Sequence, residues 1–349
     1  MAEYMAYIGT YSKGENGGIF RAMIDSETGD LRVLDTTDVE NPSHLALAPD
    51  GKHLYAASET GEFRGRNGGA AAACAVDAEG KLTFLNIVGT QGKHPCYVSV
   101  SPDGKFVYAA NYSEGTATVF AVDENGALKD DPKIVVHQGT GANPRRQEKP
   151  HVHCTRITPD GKYLAVCDLG IDTVVLYPLC GKCGLDATRG SFVRTPAGNG
   201  PRHIEFSRDG KYAYVVTEMG CTVRAYAYED GRMTFLSAVN TLPEGFAGEN
   251  IDAAIHFAPD GKTLVVSNRG DDSLALFEAE GGKLTLKQIV KVGGKTPREF
   301  AYTPDGKMVF CCNQDSSDIT VLKVNADGTL TLTDKRFELP CPVSLIWKN

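Results

Sequence analysis

Six stretches of this chain repeat one pattern: an apolar run, Pro-Asp-Gly-Lys or a near variant, a second apolar run, and a polar break. They read HLALAPDGKHLYAAS, YVSVSPDGKFVYAAN, CTRITPDGKYLAVCD, HIEFSRDGKYAYVVT, AIHFAPDGKTLVVSN and EFAYTPDGKMVFCCN. Their turn aspartates are Asp50, Asp103, Asp160, Asp209, Asp260 and Asp305, spaced 53, 57, 49, 51 and 45 residues apart. A period near this length with several strands per unit is that of a β-propeller, in which units stack side by side to bury their apolar faces. Asp-Gly reverses a strand tightly, so it joins the first two strands of each unit as a hairpin, with a two-residue loop or a three-residue loop and a bulge. A third strand (TATVFAVD, TVVLYPL), a second turn (DENGAL, EDGRM, EGGKL, ADGTL) and an outer fourth strand follow.

The two ends supply the missing unit. CPVSLIWKN at the C-terminus reads as a first strand with no hairpin after it. YMAYIGTYSKGENGGIFRAMIDSETGDL at the N-terminus reads as the second to fourth strands with no first strand before them. The expected fold is therefore all-β: a seven-bladed β-propeller with four-stranded antiparallel blades, closed by a composite blade from both termini. Closure removes the sheet edges that an open array would expose, and it makes residues 1–349 one domain, although the length alone permits two.

Charge narrows the ligand. The formal net charge of −8 offers no basic field for a nucleic acid, so an anionic ligand must meet a local group of arginines. MAEYMAYIGTYSKG lacks a basic segment followed by an apolar one, and no apolar run nears the roughly 18 residues that span a membrane. A cytoplasmic protein, monomeric or weakly self-associating, is expected. The ten cysteines lie mostly in strand-like runs and read as buried free thiols. Cys180 and Cys183 have knuckle spacing, but the second pair that a zinc site needs is missing.

Internal repeats allow positions to be compared within one chain. Seven residues before each turn aspartate, where the innermost strand begins, stand Ser43, Cys96, His153, Arg202, Ala253 and Arg298. Eight residues after it stand Ser58, Asn111, Asp168, Thr217, Asn268 and Asn313, with Thr10 in the composite unit. The next position holds Glu59, Tyr112, Leu169, Glu218, Arg269 and Gln314, with Tyr11. Hairpin pairing gathers all three sets at one rim of the central channel, and the two-residue loop would set His153 beside Asp168. Short polar residues commonly finish strands by bonding to loop backbone. His153, Arg202, Glu218, Arg269 and Arg298 are long or ionisable where neighbouring repeats carry small groups. Charges near a channel axis must be paired or meet a ligand.

Three arginines with a glutamate suit a small anion, since the guanidinium fork matches carboxylate and phosphate. A histidine with a nearby carboxylate suits proton transfer near neutral pH. Arg145, Arg146 and Lys149, before His151, can add charge to the rim, while His203 and His256 sit at other registers. The pair His151-x-His153 resembles a metal clamp, but no Asp-His follows it, and the rim arginines would repel a cation. No metal or cofactor is expected. The chain has no G-x-S-x-G elbow and no phosphate-binding glycine loop before a helix.

The segments EKPHVHCTRITPDGKYLAVCDLG, GNGPRHIEFSRDGKYAYVVTE, AAIHFAPDGKTLVVSNRG and TPREFAYTPDGK resemble the bacterial lactonase family of seven-bladed propellers, which includes propeller-type 6-phosphogluconolactonase and a carboxy-muconate cyclase. The resemblance runs from YIGTYSKG to PVSLIW. It implies a site of His153, Arg202, Glu218 and Arg269, with His151 as a possible substrate contact. It also implies hydrolysis of 6-phospho-D-glucono-1,5-lactone to 6-phosphogluconate, with His153 or Glu218 moving the proton. Asp168, Arg298, His203, His256, Arg145 and Arg146 are the further candidates for holding the lactone. A cyclase-like lactonising isomerase, a lactonase for another sugar acid and a non-enzymatic protein-binding propeller are the competing readings.

Overall fold

A computed structural model describes residues 2–14 and 17–348. Seven antiparallel blade sheets follow one another around a ring, and a separate two-stranded hairpin, Glu62–Phe63 with Arg66–Asn67, is inserted between strands of the second. Blade 1 is the composite: Pro342–Trp347 is its inner strand and pairs with Glu3–Thr10, followed outwards by Ile19–Asp25 and Leu31–Thr37. The inner strands of blades 2 to 7 are Pro42–Leu47, Pro95–Val100, Val152–Ile157, Pro201–Phe206, Ile251–Phe257 and Pro297–Tyr302. Each blade has four strands in sequence order, except that two short strands, Gly184–Leu185 and Ser191–Arg194, share the outer edge of blade 4. The LCGKC turn lies at the first of these, so Cys180 and Cys183 punctuate a strand. All ten cysteines are free. Among the described residues no helix is long and apolar enough to cross a membrane.

The apolar core is a ring of inter-blade clusters rather than one centre. Blades 5 and 6 share Tyr214, Val216, Ile255, Leu264 and Phe277, and blades 7 and 1 share Ile8, Phe20, Phe310 and Leu345. Second strands such as Tyr163–Asp168 and Met308–Asn313 are packed on both faces and are almost wholly buried. Tyrosines peg neighbouring blades together: the hydroxyls of Tyr7, Tyr55 and Tyr108 donate to the carbonyls of Gly80, Gly126 and Gly184 in the next blade. Gly126 has φ +83°, and a Cβ there would lie 2.0 Å from the His53 ring, so the turn admits only glycine without rearrangement.

The repeated turn has neither of the expected loops. In blade 4, Thr158 and Tyr163 still bond, leaving the four-residue loop Pro159–Lys162, tied by Gly161 N–H to Thr158 O at 2.9 Å. Asp160 accepts from the Thr158 hydroxyl at 2.6 Å and from Lys162 N–H at 3.1 Å. The aspartate thus shapes the turn locally, and the following glycine takes the left-handed φ of +68°.

At the other end of the hairpin, the register slips by one residue in every blade. Val152 faces Asp168 and Cys154 faces Cys167, leaving His153 as an extra residue. Ser43, Cys96, Arg202, Arg298 and Val343 are the equivalent extras. A β-bulge frees one residue from the ladder and re-aims its side chain. Five inner strands begin with proline, at Pro42, Pro95, Pro201, Pro297 and Pro342. Proline has no N–H for the ladder and suits a first strand residue just before a bulge.

Candidate active site

Glu218 is the hub of the bulge end of the channel. Its side chain is 4 % exposed, and Oε2 accepts from Arg202 Nε at 3.1 Å and Arg269 Nη2 at 2.8 Å. Its Oε1 accepts from Arg146 Nη2, which also reaches the Tyr112 hydroxyl at 3.2 Å. Burial would push the Glu218 carboxyl up, but Arg269 and Arg202 outweigh it and hold the group far below the usual carboxylate range. The same cluster strains its arginines. Arg202 is buried beside Arg269 and Arg298, which brings its guanidinium down to about 10.

Arg146 arrives from the long loop after blade 3. Asn143 Oδ1 accepts from the Arg145 and Arg146 N–H groups, and buried Gln147 ties the loop to Leu169 O at 2.8 Å. This turn directs Arg146 towards Glu218 and leaves Arg145 exposed, with no side-chain partner among the described residues.

His153 lies beside this cluster, edge-on to Tyr112 at 5.6 Å and to His203 at 5.3 Å. It is 4 % exposed, and its Nδ1 is buried with no hydrogen-bond partner among the described residues. Burial, then repulsion from Arg202, holds its imidazole well below the ordinary histidine value, so the ring is neutral at physiological pH. Arg269 Nε is likewise buried and unpartnered. Arg298 stacks its guanidinium over the Tyr11 ring at 5.2 Å, and the Tyr11 hydroxyl donates to Glu59 at 2.8 Å. Arg298 makes no hydrogen bond or ion pair to protein among the described residues, although Tyr11 and Glu59 keep it charged against the effect of burial.

Other expected neighbours are elsewhere. Asp168 does not meet His153. Its Oδ1 accepts from His151 N–H at 2.8 Å and Gly170 N–H at 3.0 Å, and its Oδ2 pairs with His137 Nδ1 at 2.7 Å. His137 in turn contacts the Tyr177 hydroxyl at 3.0 Å. The bulge is the reason: it rotates His153 out of the ladder while Asp168 keeps the capping role of its register-mates. Asn111 and Asn313, for example, bond Thr116 and Asp318 of their own blades. His151 stacks on Tyr112 at 4.6 Å and donates from Nδ1 to the Tyr112 carbonyl at 3.0 Å, so it braces the tyrosine that holds Arg146. His203 lies behind Arg202, whose Nη1 is 3.1 Å from its Nε2. His256 sits deeper in the channel, between Glu205 and Glu299. Tyr11, Tyr112 and Glu59 were already visible in the register next to Glu218, but their partners were not.

Among the described residues no group of three or more His, Cys, Asp or Glu side chains is placed to hold a metal ion. Four guanidinium groups around the carboxylate also make the mouth hostile to a cation. The family described as "Lactonase, 7-bladed beta-propeller" matches residues 5–347.

The chain belongs to this lactonase family.

Its relatives span the whole propeller. A 6-phosphogluconolactonase of Bacillus subtilis is 35% identical over 98% of this chain and 98% of its own. The solved periplasmic gluconolactonase of Pseudomonas aeruginosa superposes with a TM-score of 0.93 at 34% identity, covering 100% of this chain and 99% of that one. A Lactobacillus plantarum protein of solved structure gives 0.90 at 33% identity, with 99% of both chains covered.

Proposed function

We propose that this protein hydrolyses 6-phospho-D-glucono-1,5-lactone to 6-phosphogluconate at the Glu218 mouth, without a metal. One observation carries the reading. His153 Nδ1 and Arg269 Nε are buried and unpartnered next to Arg298, a cation with no hydrogen-bond or ion-pair partner in the described protein. Buried polar atoms left unpaired in a native protein call for a partner, and a ligand supplies it here. Arg146, Arg202, Arg269 and Arg298 face Glu218 and Glu59, a surplus of two positive charges that matches a phosphate dianion.

His153 is the base in this reading. Glu218 is held ionised by its arginines and is too weak a base to take a proton from water, whereas the His153 imidazole is free and neutral. Water attacks the ring carbonyl carbon and passes a proton to His153. The carbonyl electrons move to an oxyanion that Arg202 and Arg269 stabilise. The C1–O5 bond then breaks, O5 takes the proton from the His153 imidazolium, and the acid formed releases a proton to solvent. The charge of the bound phosphate offsets the arginine part of the lowering of the His153 pKa, burial being the larger part, and so makes the imidazole a better base with substrate bound. Arg298, uncommitted to protein, holds the phosphate.

Hydrolysis of the unphosphorylated lactone is the second reading, favoured by the Pseudomonas aeruginosa relative described as a gluconolactonase. A coupled assay with freshly made 6-phosphogluconolactone and with gluconolactone, each with and without chelator, separates the two. Faster hydrolysis of the phosphorylated ester, insensitive to chelator, is expected. No acceleration over its spontaneous hydrolysis would overturn the proposal.

A further inference from the structure

The repeat register isolates a second layer of charge. Four residues before each turn aspartate stand Ala46, Ser99, Arg156, Glu205, His256 and Ala301, with Ile346 in blade 1. Three consecutive blades thus carry Arg, Glu and His where the others carry small or apolar groups. Three residues along a strand is about 10 Å, so this layer lies well beyond the bulge. Its members are all half-exposed, whereas His153 and Arg202 of the bulge layer are buried. They face the opposite mouth of the channel.

The side chains there form one network. Arg156 Nη2 meets Glu205 Oε1 at 2.7 Å, His256 Nδ1 lies 3.5 Å from Glu205 Oε2, and His256 Nε2 meets Glu299 Oε1 at 2.6 Å. Burial would push the His256 imidazole down, but Glu299 and Glu205 lift it to about 10, so it is a cation. A cavity of about 320 Å³ opens beside Arg156 and His256, walled by Tyr97, Leu345 and Ile346. A second of about 540 Å³ adjoins it through His256, Leu345 and Ile346 and is rimmed by Phe257, Tyr302 and Trp347. A plug that only closed the channel would satisfy its own polar atoms and leave no space. Here the Tyr302 hydroxyl and Trp347 Nε1, both donors, are buried and unpartnered among the described residues. Apolar walls with a few convergent polar groups, at volumes of roughly 300–1,000 Å³, are the usual form of a small-molecule site.

The charges select the ligand. Arg156, His256 and Arg208, which lines the outer cavity, outnumber Glu205 and Glu299 by one. We propose that this mouth is a second ligand site, distinct from the Glu218 mouth. It takes a small monocarboxylate with an apolar body: the carboxylate lies on Arg156 and the body on the Leu345–Ile346 wall.

Isothermal titration of the full chain with benzoate, and with benzyl alcohol as the uncharged comparator, tests this. Saturable benzoate binding is expected, stronger than that of the alcohol and unchanged by Arg298→Gln in the other mouth. Arg156→Gln should weaken it roughly tenfold, the loss of one charge-assisted bond. Ile346→Ala, which shortens the apolar wall without setting a charge against the Tyr7 and Leu45 cluster that Ile346 packs on, should also weaken it. Absence of saturable binding, equal binding of the alcohol, or loss on Arg298→Gln but not on Arg156→Gln would each overturn the proposal. None of these results depends on which lactone the protein hydrolyses.

Discussion

Replacing Glu218 by glutamine keeps the shape of the hub and removes its charge. Three guanidinium groups then lose their shared counter-ion: Arg202 Nε at 3.1 Å, Arg269 Nη2 at 2.8 Å, and Arg146. Arg202 and Arg269 are 2 % and 8 % exposed at the side chain, so water cannot take the place of the carboxylate. Breaking a buried pair by neutralising one partner costs about 3–5 kcal/mol, and Glu218→Gln should destabilise the protein by that order. His153→Asn removes a buried ring that makes no ion pair among the described residues, so it should cost only the packing against Tyr112 and His203, roughly 1–3 kcal/mol. Activity should respond differently. His153→Asn should lower kcat by roughly 10²–10⁴ and remove the acid limb of the pH–rate profile. Glu218→Gln should lower kcat/KM by disordering Arg202 and Arg269, with that limb still present but moved to lower pH, because the Glu218 charge raises the His153 imidazole. Urea unfolding midpoints with steady-state lactone hydrolysis across pH measure both. If Glu218→Gln proved as stable as the wild type and lost the acid limb, while His153→Asn kept normal turnover, the proton would move through Glu218 and the division of roles would be wrong.

Arg298→Gln should raise KM for the phosphorylated lactone by roughly 10–100-fold with little change in kcat, because it removes binding felt equally in ground and transition states. The unphosphorylated lactone should be nearly indifferent to it. Asp168→Asn should cost roughly 1–3 kcal/mol of stability through its buried bonds to His137, His151 and Gly170, with kcat per folded molecule retained; a selective loss of kcat would return Asp168 to the chemistry. His256 has a folded value of about 10 against 6.5 unfolded, so the folded state binds more protons between them. Its stabilisation is complete below about 6.5 and is lost as pH rises towards about 10. Thermal unfolding across that range should show His256→Gln flattening the alkaline decline, and an unchanged slope would refute the assignment.

Blade number and ring closure were legible in the sequence because they rest on local chemistry repeated at a fixed period. Each Asp-Gly turn shapes itself, through contacts such as Thr158 to Asp160 and the left-handed φ of Gly161. Each apolar run finds its packing partners in neighbouring copies of itself. The exceptions to the repeat, His153, Arg202, Glu218, Arg269 and Arg298, therefore stood out without any other protein to compare. Tertiary structure alone decided what those exceptions touch. A one-residue bulge decides whether His153 faces Asp168 or the arginines, and the turn sequence permits either register. Arg146 and Arg145 are adjacent in the chain, and only the Asn143–Gln147 turn separates their destinations. His256 sits at another register in the sequence, and only the structure sets it between Glu205 and Glu299. Position within a repeat is written locally, whereas side-chain partnership depends on distances between blades that no stretch of the chain contains.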